Sequence, residues 1–141
     1  MRSVVATGTF DLLHPGHVYY LQESRALGDV LYVIVARDVN VKHKPRPVLS
    51  ETQRLLMVRN LKPVDHAVLG DTEDIFRPIE RINPDIITLG YNQHFAEELL
   101  VKELRVRGLG ADVVRIGAYE GGGISSSRKI MDRILEVRCP P

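Results

Sequence analysis

The chain holds one cysteine in 141 residues, no stretch of unbroken apolar sequence long enough to span a bilayer, and no surplus of either charge. The single thiol, Cys139 in a Cys-Pro-Pro tail, has no partner within the chain, which excludes an internal disulfide framework and a cysteine zinc cluster. Lys and Arg number 19 against 18 Asp and Glu, a formal net charge of +1, so nothing in the balance points to nucleic acid as a partner. A membrane-spanning helix needs about 20 apolar residues, and the amino end passes directly into a strand pattern instead of a signal peptide. A cytoplasmic protein with no membrane partner is expected, folded as one domain over residues 1–141.

What is present is concentrated in Gly8-Thr9-Phe10-Asp11-Leu12-Leu13-His14-Pro15-Gly16-His17, which closes a strand-like run and opens a helix. The first turn of a helix leaves backbone N–H groups unpaired and carries partial positive charge, so phosphate oxygens are drawn to it. His14 and His17 are three apart and share a helical face. Pro15 suits a first helical turn, where its missing N–H is harmless, and Gly16 removes a side chain that would hold a phosphate away. The competing explanations are a metal site, which lacks further ligands because Asp11 reads as a turn former, and two solvated surface histidines.

Apolar runs recur at residues 4–6, 30–36, 67–69, 86–89 and 113–116, mostly β-branched, as in strands buried on both faces. Helical stretches are predicted at 15–27, 51–61, 74–82, 93–107 and 125–137. Within them Phe95 with Leu99, Leu100 with Leu104, Ile130 with Ile134 and Met131 with Leu135 form i, i+4 apolar pairs. Gly108 reads as a stop, Ser50 with Gln53 as a capping box, and Ser125 as the cap of the last helix. This alternation predicts an α/β, Rossmann-like doubly wound sheet of about five parallel strands with helices on both faces.

In such sheets ligands bind beyond the carboxyl ends of the strands, where strand order reverses. The histidine segment follows the first strand, and a polar segment, 37–49, carrying Lys42, His43, Lys44 and Arg46, follows the second. Gly90-Tyr91-Asn92-Gln93 follows the fourth and Gly121-Gly122-Gly123-Ile124-Ser125-Ser126-Ser127 the fifth. All are expected on one rim. The serines read either as a second phosphate cradle or as an ordinary helix cap, and the basic segment as a loop over the site or as plain solvated surface.

The segment 8–17 resembles the signature of the HxGH nucleotidyltransferases, within their cytidylyltransferase-like branch. Residues 35–38, Gln53-Arg54, 61–65, 89–91 and 124–127 extend the resemblance, to the archaeal-type FAD synthases, over nearly the whole chain. That resemblance implies transfer of AMP from ATP to FMN, with release of pyrophosphate and no covalent intermediate. It further implies His14 and His17 as hydrogen-bond donors to phosphate, with Lys42 and Lys44 as catalytic cations. Arg54 would contact the pyrophosphate or the FMN phosphate. Thr9 and Phe10 would meet ATP through their backbone, beside Pro15 and Gly16; Asn92 and Tyr119 would hold the nucleoside, and Ser125 and Ser126 the outer phosphates. Tyr19, Tyr20 and Phe95 are candidate ring faces for the flavin, against an ordinary role in the core. A divalent cation, Mg²⁺, is implied with no legible ligands, and a homodimer is common in the family.

Three departures stand out. Glu120 occupies the place where cytidylyltransferases carry an arginine, and a carboxylate cannot clamp a triphosphate as arginine does. Asn92 replaces the usual aspartate, and glycines replace cysteines that some members carry near the final motif. The alternatives are a cytidylyltransferase acting on glycerol 3-phosphate or a similar small phosphate, and a non-catalytic regulator that binds an adenine nucleotide.

Overall fold

A computed structural model describes residues 1–42, 45–93 and 96–141. Lys44 and Phe95 of the expected site lie outside the described residues. Five strands, β1 (Ser3–Gly8), β2 (Val30–Val35), β3 (His66–Leu69), β4 (Ile86–Leu89) and β5 (Asp112–Arg115), form one parallel sheet in the order β3-β2-β1-β4-β5. The order reverses between β1 and β4, because the chain leaves β1 toward β2 and returns to the other side of β1. Helices α1 (Pro15–Ala26), α2 (Glu51–Arg59), α3 (Arg77–Ile82), α4 (Glu97–Val106) and α5 (Ser127–Arg138) follow the successive strands.

Alternation along the central strands builds two cores. Val4, Ala6, Leu31, Val33 and Val35 face Tyr20 and Leu21 of α1 and Val58 of α2. Val5, Ile34, Ile87 and Leu89 face Ile79 of α3 and Leu100 and Leu104 of α4. The expected two-sided burial holds for β1 and β4 but not for the outer strands, where His66 and Val68 of β3 and Asp112 of β5 remain exposed. An edge strand has a neighbour on one side only, so its side chains are less completely covered.

Helix ends differ from the sequence expectation for legible reasons. α3 starts at Arg77 instead of 74, because Asp71 accepts from the N–H groups of Glu73 and Asp74 and Asp74 from that of Phe76. Those side chains hold 71–76 as turns. α4 stops where predicted: Gly108 adopts a φ of 77°, and the Gly108 and Leu109 N–H groups return to the carbonyls of Arg105 and Leu104. Leu100 and Leu104 are buried, but Leu99 is turned to solvent. α5 contributes no buried residue, so its apolar pairs do not join the core: Ile134 and Leu135 are exposed. Among the described residues no helix is long and apolar enough to cross a membrane.

Candidate active site

β1 delivers the chain into a turn whose shape rests on Gly8 and Phe10. Phe10 sits at a φ of 55° with its ring 2% exposed, and a Cβ on Gly8 would meet that ring at 2.9 Å. The ring therefore anchors the turn in the core. Asp11 is more than a turn former: its carboxylate accepts from the N–H groups of Val48 and Leu49 at 2.8 and 2.9 Å. That ties the end of the basic segment to the histidine turn.

His14 and His17 cap α1 reciprocally. Nδ1 of His14 accepts from the Gly16 N–H at 3.1 Å, and Nδ1 of His17 accepts from the His14 N–H at 3.3 Å. A nitrogen that accepts carries no proton, so both neutral rings hold their N–H on Nε2. The rings stack with centroids 3.8 Å apart and planes 28° apart. Desolvation lowers the pKa of His14 below its ordinary 6.5. The start of α1 thus joins backbone N–H groups to two imidazoles whose outer nitrogens are donors.

Gly16 also serves the fold. A Cβ there would lie 3.0 Å from the His14 ring nitrogen and 3.1 Å from the carbonyl oxygen of Ser125. The glycine lets the last connection pass over the start of α1, and Ser127 Oγ reaches the Leu12 carbonyl at 3.4 Å in the same crossing. The cap of α5 is Ser126, which accepts from the Lys129 N–H at 3.1 Å, and not Ser125. Gly122 and Gly123, at φ of 82° and 75°, make the turn that brings the serines in.

Arg54 is the principal correction. Its guanidinium is fully buried and donates to the carbonyls of Leu49, Thr9 and Ala36 at 3.1, 2.7 and 2.9 Å and to the Asp38 carboxylate. Fully buried, with four of its five N–H groups directed to these acceptors, it is a strut and not the phosphate contact expected: it joins the histidine turn, the end of β2 and the basic segment. Lys42 is exposed on that segment.

Tyr20 is likewise structural and not a flavin face. Its ring is in the core, and its hydroxyl donates to the Thr88 carbonyl at 2.8 Å and accepts from the Thr7 N–H at 3.1 Å. Burial pushes its pKa up to about 12, so it remains a donor. Tyr19 is half-buried against Tyr119, with ring centroids 5.7 Å apart. Asn92 is exposed on the turn after β4.

A concavity of about 620 Å³ lies at the opposite rim, lined by Met1, Arg2, Asn83, Pro84, Asp85, Gly110 and Asp112. It contains no imidazole and adjoins the carboxyl end of α3, whose partial negative charge repels phosphate. The carboxyl rim is therefore the candidate site, and it gathers four segments from distant parts of the chain. Contacts join 8–17 to 125–127, to 48–49 and, through Thr7, to 90–93.

Residues 5–131 match the Cytidylyltransferase-like family model. The chain belongs to the cytidylyltransferase-like family. Among cytidylyltransferase-like relatives, the FAD synthase of Methanoculleus marisnigri is 70% identical over 141 residues, covering 100% of this chain and 94% of that protein. The FAD synthase of Methanosphaerula palustris is 65% identical over 140 residues, 99% of this chain and 92% of that protein. A crystal structure described as the lipopolysaccharide core biosynthesis protein from Thermoplasma volcanium superposes with a TM-score of 0.82 at 44% identity, covering 85% of this chain and 99% of that one.

Gln93 and Arg115 were not assigned roles by sequence reasoning, although both bind the turn after β4. Arg115 donates to the carbonyls of Gly90 and Gln93 at 2.8 and 3.1 Å. Their chemistry is legible only once β1, β4 and β5 are adjacent.

Proposed function

We propose that this chain is an FAD synthase, transferring the AMP moiety of ATP to FMN with release of pyrophosphate. One observation carries the reading: two stacked imidazoles, each with its N–H on Nε2, stand at the amino end of α1 in a chain 70% identical to a protein of that name. An FMN phosphate oxygen attacks the α-phosphorus of ATP in line with the departing pyrophosphate. The nucleophile is already anionic near neutral pH, so no strong general base is needed and the protein's task is alignment and charge stabilisation.

His14 and His17 donate from Nε2 to the phosphate oxygens as charge builds, beside the backbone of Thr9, Phe10, Pro15 and Gly16. Neutral rings with fixed tautomers enter the reaction already oriented. Lys42, with Lys44 of the same segment, neutralises the departing pyrophosphate. Ser125 and Ser126 bind the outer phosphates at the start of α5, while Asn92 and Tyr119 hold the nucleoside. A divalent cation, Mg²⁺, would accompany the triphosphate and would supply charge neutralisation there. Among the described residues no group of three or more His, Cys, Asp or Glu could hold a metal ion.

Glu120, where an arginine would clamp CTP, supports ATP over CTP. The balanced charge supports small substrates over nucleic acid, and a cytoplasmic homodimer completes the reading. The test is pyrophosphate release from ATP or CTP, each offered with FMN, glycerol 3-phosphate or no acceptor. ATP with FMN is expected to react best. A preference for CTP with glycerol 3-phosphate would establish the cytidylyl alternative, and nucleotide binding without any turnover would establish a regulator.

A further inference from the structure

The sheet ends differently at the site than anywhere else along its carboxyl rim. At three of the four strand junctions one further backbone rung extends the ladder: Ala36 N–H to the Gly8 carbonyl at 2.9 Å, Gly70 N–H to Val35 at 2.8 Å, and Ile116 N–H to Leu89 at 2.8 Å. Between β1 and β4 the register runs through Ala6 opposite Thr88, so the corresponding rung would join the Gly90 N–H to the Thr7 carbonyl. A side chain takes its place. Oε1 of Gln93 accepts from the Gly90 N–H at 2.5 Å, and Nε2 of Gln93 donates to the Thr7 carbonyl at 3.2 Å.

Inserting a carboxamide between a donor and an acceptor that would otherwise touch sets β1 and β4 apart by the width of that group. This happens at the one place where strand order reverses, which is where an open parallel sheet offers its ligand crevice. The same side chain fixes the turn it stands on, because the Gln93 N–H also returns to the Gly90 carbonyl at 3.2 Å. From the other flank, Arg115 holds the Gly90 and Gln93 carbonyls. Asn92 therefore rides on a turn bound to β1 on one side and to β5 on the other.

We propose that Gln93 is a positioning residue, whose carboxamide, spliced into the β1–β4 ladder, holds the crevice open and sets the Gly90-to-Gln93 turn against the nucleoside half of ATP. The proposal rests on the adenylyl-transfer reading for its substrate. Removing the carboxamide lets the direct rung close and tilts the turn, so the effect falls on the nucleotide and spares the acceptor. Glutamate in its place can accept from the Gly90 N–H but cannot donate to the Thr7 carbonyl, and sets oxygen against oxygen.

The test is Gln93→Ala and Gln93→Glu, with KM measured separately for ATP and FMN, and ATP affinity measured by calorimetry without turnover. In both variants the KM and Kd for ATP are expected to rise roughly tenfold, while the KM for FMN and kcat stay within about threefold of the parent. Parental ATP affinity in a folded variant, or an equal loss for both substrates, would overturn the proposal. Should neither variant fold, the unaltered protein decides: a coupling across the hydrogen bond from the Gly90 N–H to the Gln93 side-chain carbonyl is expected by NMR, and its absence would refute the inserted rung. If the parent binds ATP yet makes no FAD, the proposed reaction fails while calorimetry and the coupling still judge Gln93.

Discussion

Of the helices that begin at the carboxyl rim, α1 and α5 are built in contrasting ways. α1 starts with a reciprocal cap made of two imidazoles, with Pro15 in its first turn, and buries Tyr20, Leu21 and Ser24 against the sheet. α5 starts with a single serine cap and buries nothing. The first helix start is fixed by the core before any ligand arrives, so its donors need little reorganisation when charge develops. Among the described residues the second is held by its cap, by the Ser127 contact to the Leu12 carbonyl and by partly buried Ile130 and Met131. For the proposed reaction the contrast assigns a division of labour: stabilisation of the reacting phosphate is expected from α1, and binding alone from α5.

The sharpest way to break that contrast is to remove an imidazole. His14→Ala and His17→Ala are each expected to lower kcat by about 10²- to 10³-fold, the usual loss for one preorganised donor to a developing charge. Single-turnover rates check this, and a loss confined to KM would reverse the division. Arg54→Ala is expected to destabilise the fold by about 3 kcal/mol, since it removes a fully buried guanidinium and leaves three half-buried carbonyls and the Asp38 carboxylate without it. Denaturant unfolding measures that effect. A folded Arg54→Ala protein of parental stability with a raised KM would instead make Arg54 a phosphate ligand.

Gly16→Ala tests the crossing itself. The added Cβ strikes the His14 ring and the Ser125 carbonyl, so both helix starts shift together, with an expected loss of about 1 to 2 kcal/mol in stability. Ser126→Ala is expected to be milder still, near 1 kcal/mol from the lost cap, with a rise in KM for ATP and an unchanged chemical step.

The pH dependence is the smallest effect and follows from His14. Its folded pKa lies below its ordinary 6.5, so the unfolded chain binds more protons as pH falls through 6.5 toward the folded value. Stability from this residue is therefore full above 6.5 and declines below it. An NMR titration is expected to place the His14 midpoint under 6.5, and a midpoint above it would remove the desolvation argument.

The five strands, their parallel arrangement and the shared rim could be read from sequence because β-branched runs, glycine stops and a histidine-bearing helix start are local signals. Gly108 is a fair example: a single residue able to take positive φ at the end of an amphipathic stretch. Arg54 shows where such reading stops. The resemblance implies a phosphate contact for it, and only three-dimensional closure around it shows a strut between Thr9, Ala36 and Leu49. Gln93 escaped for the same reason, since its two partners, Thr7 and Gly90, are joined by no spacing rule. α5 misled in the other direction: its apolar pairs have helical spacing, yet none of its residues is buried.

The central claim is that ATP docks at the start of α1 through two Nε2–H imidazoles. Nitrogen NMR of the protein labelled in histidine tests it most directly, recorded with and without a non-hydrolysable ATP analogue. Both rings are expected as Nε2–H tautomers in the free protein, with both Nε2 signals moving on binding and the Nδ1 signals staying in place. Nδ1–H tautomers, or Nε2 signals that ignore a bound analogue, would contradict the account.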